Sequence, residues 1–76
     1  MKAKVFVTLK KGVLDPQGKA IQHALESMAF QGVKEVRVGK VFEIEASDLS
    51  EKQLKEMAQK LLANTVIEDY QVEIEK

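Results

Sequence analysis

From Lys34 to Ala46 the large apolar residues Val36, Val38, Phe42 and Ile44 all stand at even positions, and Lys40, beside Gly39, is the only break. A period of two marks a half-buried β-strand. A two-residue hairpin at Gly39-Lys40 would pair Val38 with Val41. It would also turn Glu43 and Glu45 onto the apolar face and send Phe42 to water, a costly register. A single long strand, bulged or bent at Gly39, keeps every large apolar residue except Val41 on one side. A three-residue loop would keep the phase as well. Thirteen strand residues reach roughly 40 Å, more than a small domain ordinarily needs. A straight segment of that length cannot fold back onto its own sheet. One half then has to pair with another chain, which predicts a strand-exchanged or edge-paired homodimer.

The flanking segments read clearly. Ala3, Val5, Val7 and Leu9 alternate with Lys2, Lys4, Phe6, Thr8 and Lys10, a first strand. Asp15-Pro16 is a helix start, with Asp15 as cap and Pro16 at the first helical position. Ile21, Ala24, Leu25 and Met28 then form an apolar stripe, and Gly32 is the expected stop. Ser50-Glu51-Lys52-Gln53 fits a capping box before the stripe Leu54, Met57, Ala58, Leu61 and Leu62, with Asn64 as its stop. Tyr70, Val72 and Ile74 alternate with Gln71, Glu73 and Glu75 in a last strand. Antiparallel pairing of the first and last strands would set Lys2 and Lys4 against Glu73 and Glu75. The order strand, helix, long strand, helix, strand predicts one α+β domain over residues 1–76. Its sheet is related to the ferredoxin-like βαββαβ arrangement, with two helices on one face.

Composition points the same way on assembly. A chain of 76 residues buries a small share of its surface. Small folds draw on disulfides, metals or oligomerisation, and this one has no cysteine and a single histidine. Twelve basic and twelve acidic residues cancel, so the basic surplus of a nucleic-acid binder is missing. No apolar run is long enough to span a bilayer, and the N-terminus has no signal-peptide core. The default expectation is a cytoplasmic protein that binds neither nucleic acid nor membrane.

No constellation points to catalysis. His23 lies off the apolar stripe, on a helix surface. Glu43, Glu45, Glu73 and Glu75 fall on solvent faces of strands, where they lack the convergence of an acid–base pair. Gly12 and Gly18 lack the lysine and hydroxyl of a phosphate loop, and Gly39-Lys40 reads as a strand bulge before an anion site. Two segments ask for more than folding. Gly18, early in a helix, costs about 1 kcal/mol relative to alanine, which a close backbone approach would explain. Val66 and Ile67 are apolar residues in a turn, where a partner could cover them.

Three stretches of this sequence together resemble the PurS family, the small subunits of phosphoribosylformylglycinamidine synthase. They are Val13-Leu14-Asp15-Pro16-Gln17-Gly18-Lys19-Ala20-Ile21, Val36-Arg37-Val38-Gly39-Lys40 and Leu61-Leu62-Ala63-Asn64-Thr65-Val66-Ile67-Glu68-Asp69-Tyr70. They occur in family order and spacing and span nearly the whole chain. Thr65 stands where many members have proline, Ala29 where many have glycine, and Ala58 near a common cysteine. All are conservative departures.

The resemblance implies a subunit without an active site or cofactor of its own. Its partners would be a second copy, as homodimer or tetramer, a synthetase subunit (PurL) and a glutaminase subunit (PurQ). The glutaminase releases ammonia. The synthetase uses ATP and magnesium to activate formylglycinamide ribonucleotide, and ammonia converts it to the amidine. The small subunit would bridge the two and assist ammonia transfer. The expected partner-binding positions are Leu14, Asp15, Pro16, Gln17 and Gly18 in the first stretch. In the second they are Arg37, Gly39 and Lys40, and in the third Asn64, Thr65, Ile67, Glu68, Asp69 and Tyr70. The competing readings are a stand-alone dimeric module that binds a small regulatory ligand, and a very small enzyme.

Overall fold

The computed structural model describes residues 1–75. In chain order it forms β1 (Lys2–Leu9), α1 (Pro16–Ser27), β2 (Gly39–Glu45), α2 (Glu51–Met57) continued by a π-helical turn (Ala58–Leu62), and β3 (Glu68–Glu75). The strands make one antiparallel sheet in the order β2-β1-β3. The α+β class read from the sequence therefore holds, but the expected placing of both helices on one face does not: α2 packs on the sheet and α1 does not. Val5 sits between Phe42 and Val72, and Ala3 between Ile44 and Ile74, so the even-numbered apolar residues of β2 and β3 share the face of the odd-numbered ones of β1. On the other face Lys2 and Lys4 lie opposite Glu45 and Glu43 on one side and Glu75 and Glu73 on the other. Lys4 Nζ is 3.4 Å from Glu75 Oε1. Such exposed pairs contribute at most about 1 kcal/mol each.

Helix α2 covers the apolar face. The Ser50 hydroxyl accepts from Gln53 N at 3.1 Å, and the Gln53 side chain accepts from Ser50 N at 3.0 Å, which completes the capping box. Leu54 and Ala58 are fully buried, and Ala58 and Ala63 pack with Val5 and Val7. Leu61, expected on this stripe, is instead 83% exposed. The reason is the wide last turn. Ala63 N donates to Ala58 O at 2.8 Å, five residues back. The extra residue in that turn rotates Leu61 outward and brings Leu62 and Ala63 to the core.

Helix α1 starts as read, with Gly18 N donating to Asp15 Oδ1 at 2.8 Å and Pro16 in its first turn. It ends earlier than expected. Ala29 has a φ of 67°, with Ala29 N bonded to Glu26 O and Phe30 N to Leu25 O, both at 3.0 Å. This is a Schellman end with alanine at the position that favours glycine, so Gly32 lies beyond the helix.

The predicted long strand is also shortened. The ladder begins at Gly39, in regular register with Thr8 and without a bulge. Residues 34–38 lie against α1 instead. Gln22 Nε2 donates to Lys34 O at 3.3 Å, Val36 O abuts Gly18, and Val38 N donates to Asp15 Oδ2 at 2.7 Å. Each step of two residues along this segment matches three or four along the helix. Four helical residues rise about 6 Å and two extended ones about 6.6 Å, so the segment is extended and antiparallel to α1.

Together α1 and residues 34–38 form an arm. Gly18 is the one buried residue of α1, Met28 is 67% exposed, and no face of the helix is packed on the sheet. The Cα radius of gyration is 15.6 Å, against about 11 Å for a compact chain of this length.

Candidate interaction surface

The three stretches singled out in the sequence meet at one rim of the sheet, where β1 ends and β2 and β3 begin. Thr8 pairs with both Gly39 and Asp69, and Leu9 pairs with Glu68. The loop before α1 is fastened to the same rim.

Asp15 organises that loop. Its carboxylate is buried and accepts from Gly18 N and Val38 N. These bonds, Gly18 first and Val38 next, hold its pKa below the ordinary value; burial opposes them, and the Arg37 charge adds to them. The glycine at position 18 now has a cause. A Cβ there would collide with the carbonyl of Val36 and approach Asp15 Cγ to 3.0 Å. The close approach inferred from the sequence is thus to this chain's own backbone. Leu14, Pro16 and Gln17 point outward, and Leu14 is 67% exposed.

Arg37 works inside the chain as well. Its Nη1 donates to Val13 O at 2.9 Å and its Nη2 to Lys10 O at 3.2 Å. Gly39 is required by crowding, because a Cβ would meet Val7 O at 2.8 Å. Lys40 comes up on the apolar face, with Nζ 5.8 Å from the centre of the Phe42 ring and 4.0 Å from Glu68 Oε2.

Asn64 builds the last turn. Its side chain accepts from Val66 N at 3.2 Å, and its carbonyl accepts from Ile67 N and Glu68 N at 3.1 and 2.7 Å. Glu68 Oε1 in turn accepts from Asn64 N at 2.7 Å. The Gln59 side chain donates to the Tyr70 hydroxyl at 2.7 Å. Thr65 and Val66 are pushed into solvent, Val66 to 82% exposure, with Ile67 beside them. A shallow hollow of about 390 Å³ opens here between Lys10, Gln59, Thr65, Glu68, Asp69 and Tyr70.

Lys10 is the residue that sequence reasoning missed. Its amide donates to Ile67 O at 2.8 Å, its carbonyl accepts from Arg37 and Val13 N, and its ammonium lies 3.5 Å from Asp69. It ties all three stretches together. Alternation shows it only as the last outward residue of the first strand, and its role is mostly backbone, which a side-chain pattern does not carry.

Among the described residues no three His, Asp or Glu side chains converge as a metal site, and His23 is exposed. The rim presents backbone-anchored turns and outward apolar side chains, suited to contact with another protein surface. The family model for PurS, described as phosphoribosylformylglycinamidine (FGAM) synthase, matches residues 2–76.

This chain belongs to the PurS family.

The Bacillus subtilis phosphoribosylformylglycinamidine synthase subunit PurS is 58% identical, over 99% of this chain and 93% of the relative. The Methanocaldococcus jannaschii subunit PurS is 46% identical, over 99% and 95%. Solved structures agree. B. subtilis PurS superposes with a TM-score of 0.85 at 59% identity, covering 99% of this chain and 98% of the other. M. jannaschii PurS, described as one of the subunits of formylglycinamide ribonucleotide amidotransferase in the purine biosynthetic pathway, gives 0.87 at 47%, covering 99% and 95%. A chain of the PurLQS structure from Thermotoga maritima gives 0.81 at 29%, covering 95% and 93%.

Proposed function

We propose that this chain is the PurS subunit of a phosphoribosylformylglycinamidine synthase in purine biosynthesis, and that it works as a dimer bridging the synthetase (PurL) and glutaminase (PurQ) subunits. The observation that carries the reading is the unpartnered arm. Helix α1 exposes Ile21 in part, and Met28 and Phe30 stand exposed just beyond its end. Residues 34–38 have no ladder partner among the described residues. At the same time Phe42 and Ile44, on the sheet half away from α2, are only partly covered. An apolar stripe and an open apolar face on one chain are complementary in two copies.

The rim then serves the larger partners. Leu14, Pro16, Gln17, Thr65 and Ile67 supply its outward contacts, with Lys40, Asp69 and Tyr70 at its base. Asp15, Gly18, Arg37, Gly39, Asn64 and Glu68 hold the rim in shape. In this reading ATP and magnesium belong to the synthetase, the reaction runs in the cytoplasm, and the small subunit holds two active sites close enough for ammonia to pass before it is lost to solvent or protonation. No helix among the described residues is long and apolar enough to cross a membrane.

Reconstitution of the synthase with and without this chain tests the proposal, with glutamine or ammonium as nitrogen donor. Glutamine-driven turnover should need the chain, and ammonium-driven turnover should survive without it. If neither responds, the coupling role is wrong. A metabolite that raises the Tm of the isolated chain would then favour a ligand-binding module.

A further inference from the structure

Chain length does not force α1 away from its own sheet. Residues 10–15 join β1 to α1 and residues 28–38 join α1 to β2. Extended, these reach about 20 Å and about 36 Å, enough to lay α1 over the half-covered face at Phe42 and Ile44. Burial of the apolar stripe would favour that closure. Two hydrogen bonds at the root of the arm oppose it, and two more make the arm rigid. Asp15 takes the amides of Gly18 and Val38, which makes α1 and the extended segment one body. Arg37, within that body, grips Val13 O and Lys10 O. Lys10 is itself held by its amide bond to Ile67 O, at the end of the sheet. The guanidinium is therefore the side chain that fixes the arm to the rim.

We propose that Arg37 is a positioning latch that holds the arm open, so that the stripe of α1 reaches a second copy instead of its own sheet. This rests on the dimer reading above. The flat guanidinium fork meets two carbonyls at once, which a lysine ammonium on the same backbone does not reproduce.

The chain has no cysteine, so spin labels can be placed at Glu26→Cys on α1 and Glu73→Cys on β3, both exposed. Dilution of the labelled protein into excess unlabelled protein isolates the distance within one chain. With Arg37 intact that distance should be single and long. Arg37→Ala should shorten and broaden it and weaken dimerisation about tenfold or more, with Arg37→Lys intermediate. If Arg37→Ala does not fold, Arg37→Lys alone decides by the same readings. An unchanged distance distribution and dissociation constant in a folded variant would overturn the latch and leave the dimer reading intact. A monomeric wild-type chain would overturn the dimer reading and the latch with it.

Discussion

Gly18→Ala should destabilise this protein, although helix propensity alone says the opposite. Replacing an interior helical glycine by alanine ordinarily gains about 1 kcal/mol. Here the new Cβ would point at the carbonyl of Val36, well inside contact distance, with Asp15 Oδ2 also at 3.0 Å. The obstacle is backbone, so it cannot rotate away as a side-chain tip would. The extended segment has to move by on the order of 1 Å, since Cβ contacts below 3.0 Å essentially do not occur. That movement also strains the adjoining bond from Val38 N to Asp15. Overpacking of this kind costs about 1–3 kcal/mol, at the upper end for an immovable neighbour. Set against the propensity gain, the net loss is about 1–2 kcal/mol, or a fall in Tm of roughly 5–15 °C for a domain of this size. The assay is thermal unfolding at one fixed protein concentration, because association shifts apparent stability. Lys19→Gly, on the exposed side of the same turn, is the control and should lose somewhat under 1 kcal/mol. A Gly18→Ala variant as stable as wild type, or more so, would refute the close packing of the arm.

The left-handed conformation of Ala29 predicts that Ala29→Gly stabilises the chain by about 1 kcal/mol, read from denaturant midpoints. Leu54→Ala should cost about 2–5 kcal/mol because Leu54 is fully buried, whereas Leu61→Ser should leave chain stability nearly unchanged; paired urea titrations check both. Asp15 titrates below its ordinary value of 3.8 in the folded chain. Its stabilisation is therefore complete above that value and is lost as pH falls through the lower folded value. Asp15→Asn should be less stable than wild type at neutral pH, and the gap should narrow in acid; a gap that stays constant with pH would show that the carboxylate charge is not involved.

The amino-acid sequence by itself determined the order of strands and helices, the faces of the strands and the family. Alternation placed Val5, Phe42 and Val72 on one side, and the charges set Lys2 and Lys4 against glutamates. Caps at Asp15 and Ser50 were legible because side-chain hydrogen bonds to the nearby backbone are local in sequence. The even-position pattern from Val36 to Ile44 also made a tight hairpin in this segment costly.

Only the tertiary structure decided where each surface went. The wide turn after α2 expels Leu61, and that depends on a hydrogen bond from Ala63 to Ala58 that no apolar period announces. Residues 34–38 are bonded to α1 and not to a strand, because Asp15 captures Val38 N and Gly18 admits Val36 O. Those are contacts between positions about twenty residues apart. The clasp of Arg37 on Lys10 and Val13 likewise joins positions 27 and 24 residues apart. Side-chain pattern follows from local periodicity and survives in a linear sequence; backbone amides and carbonyls carry no such signature, and here they are what the arm is built on.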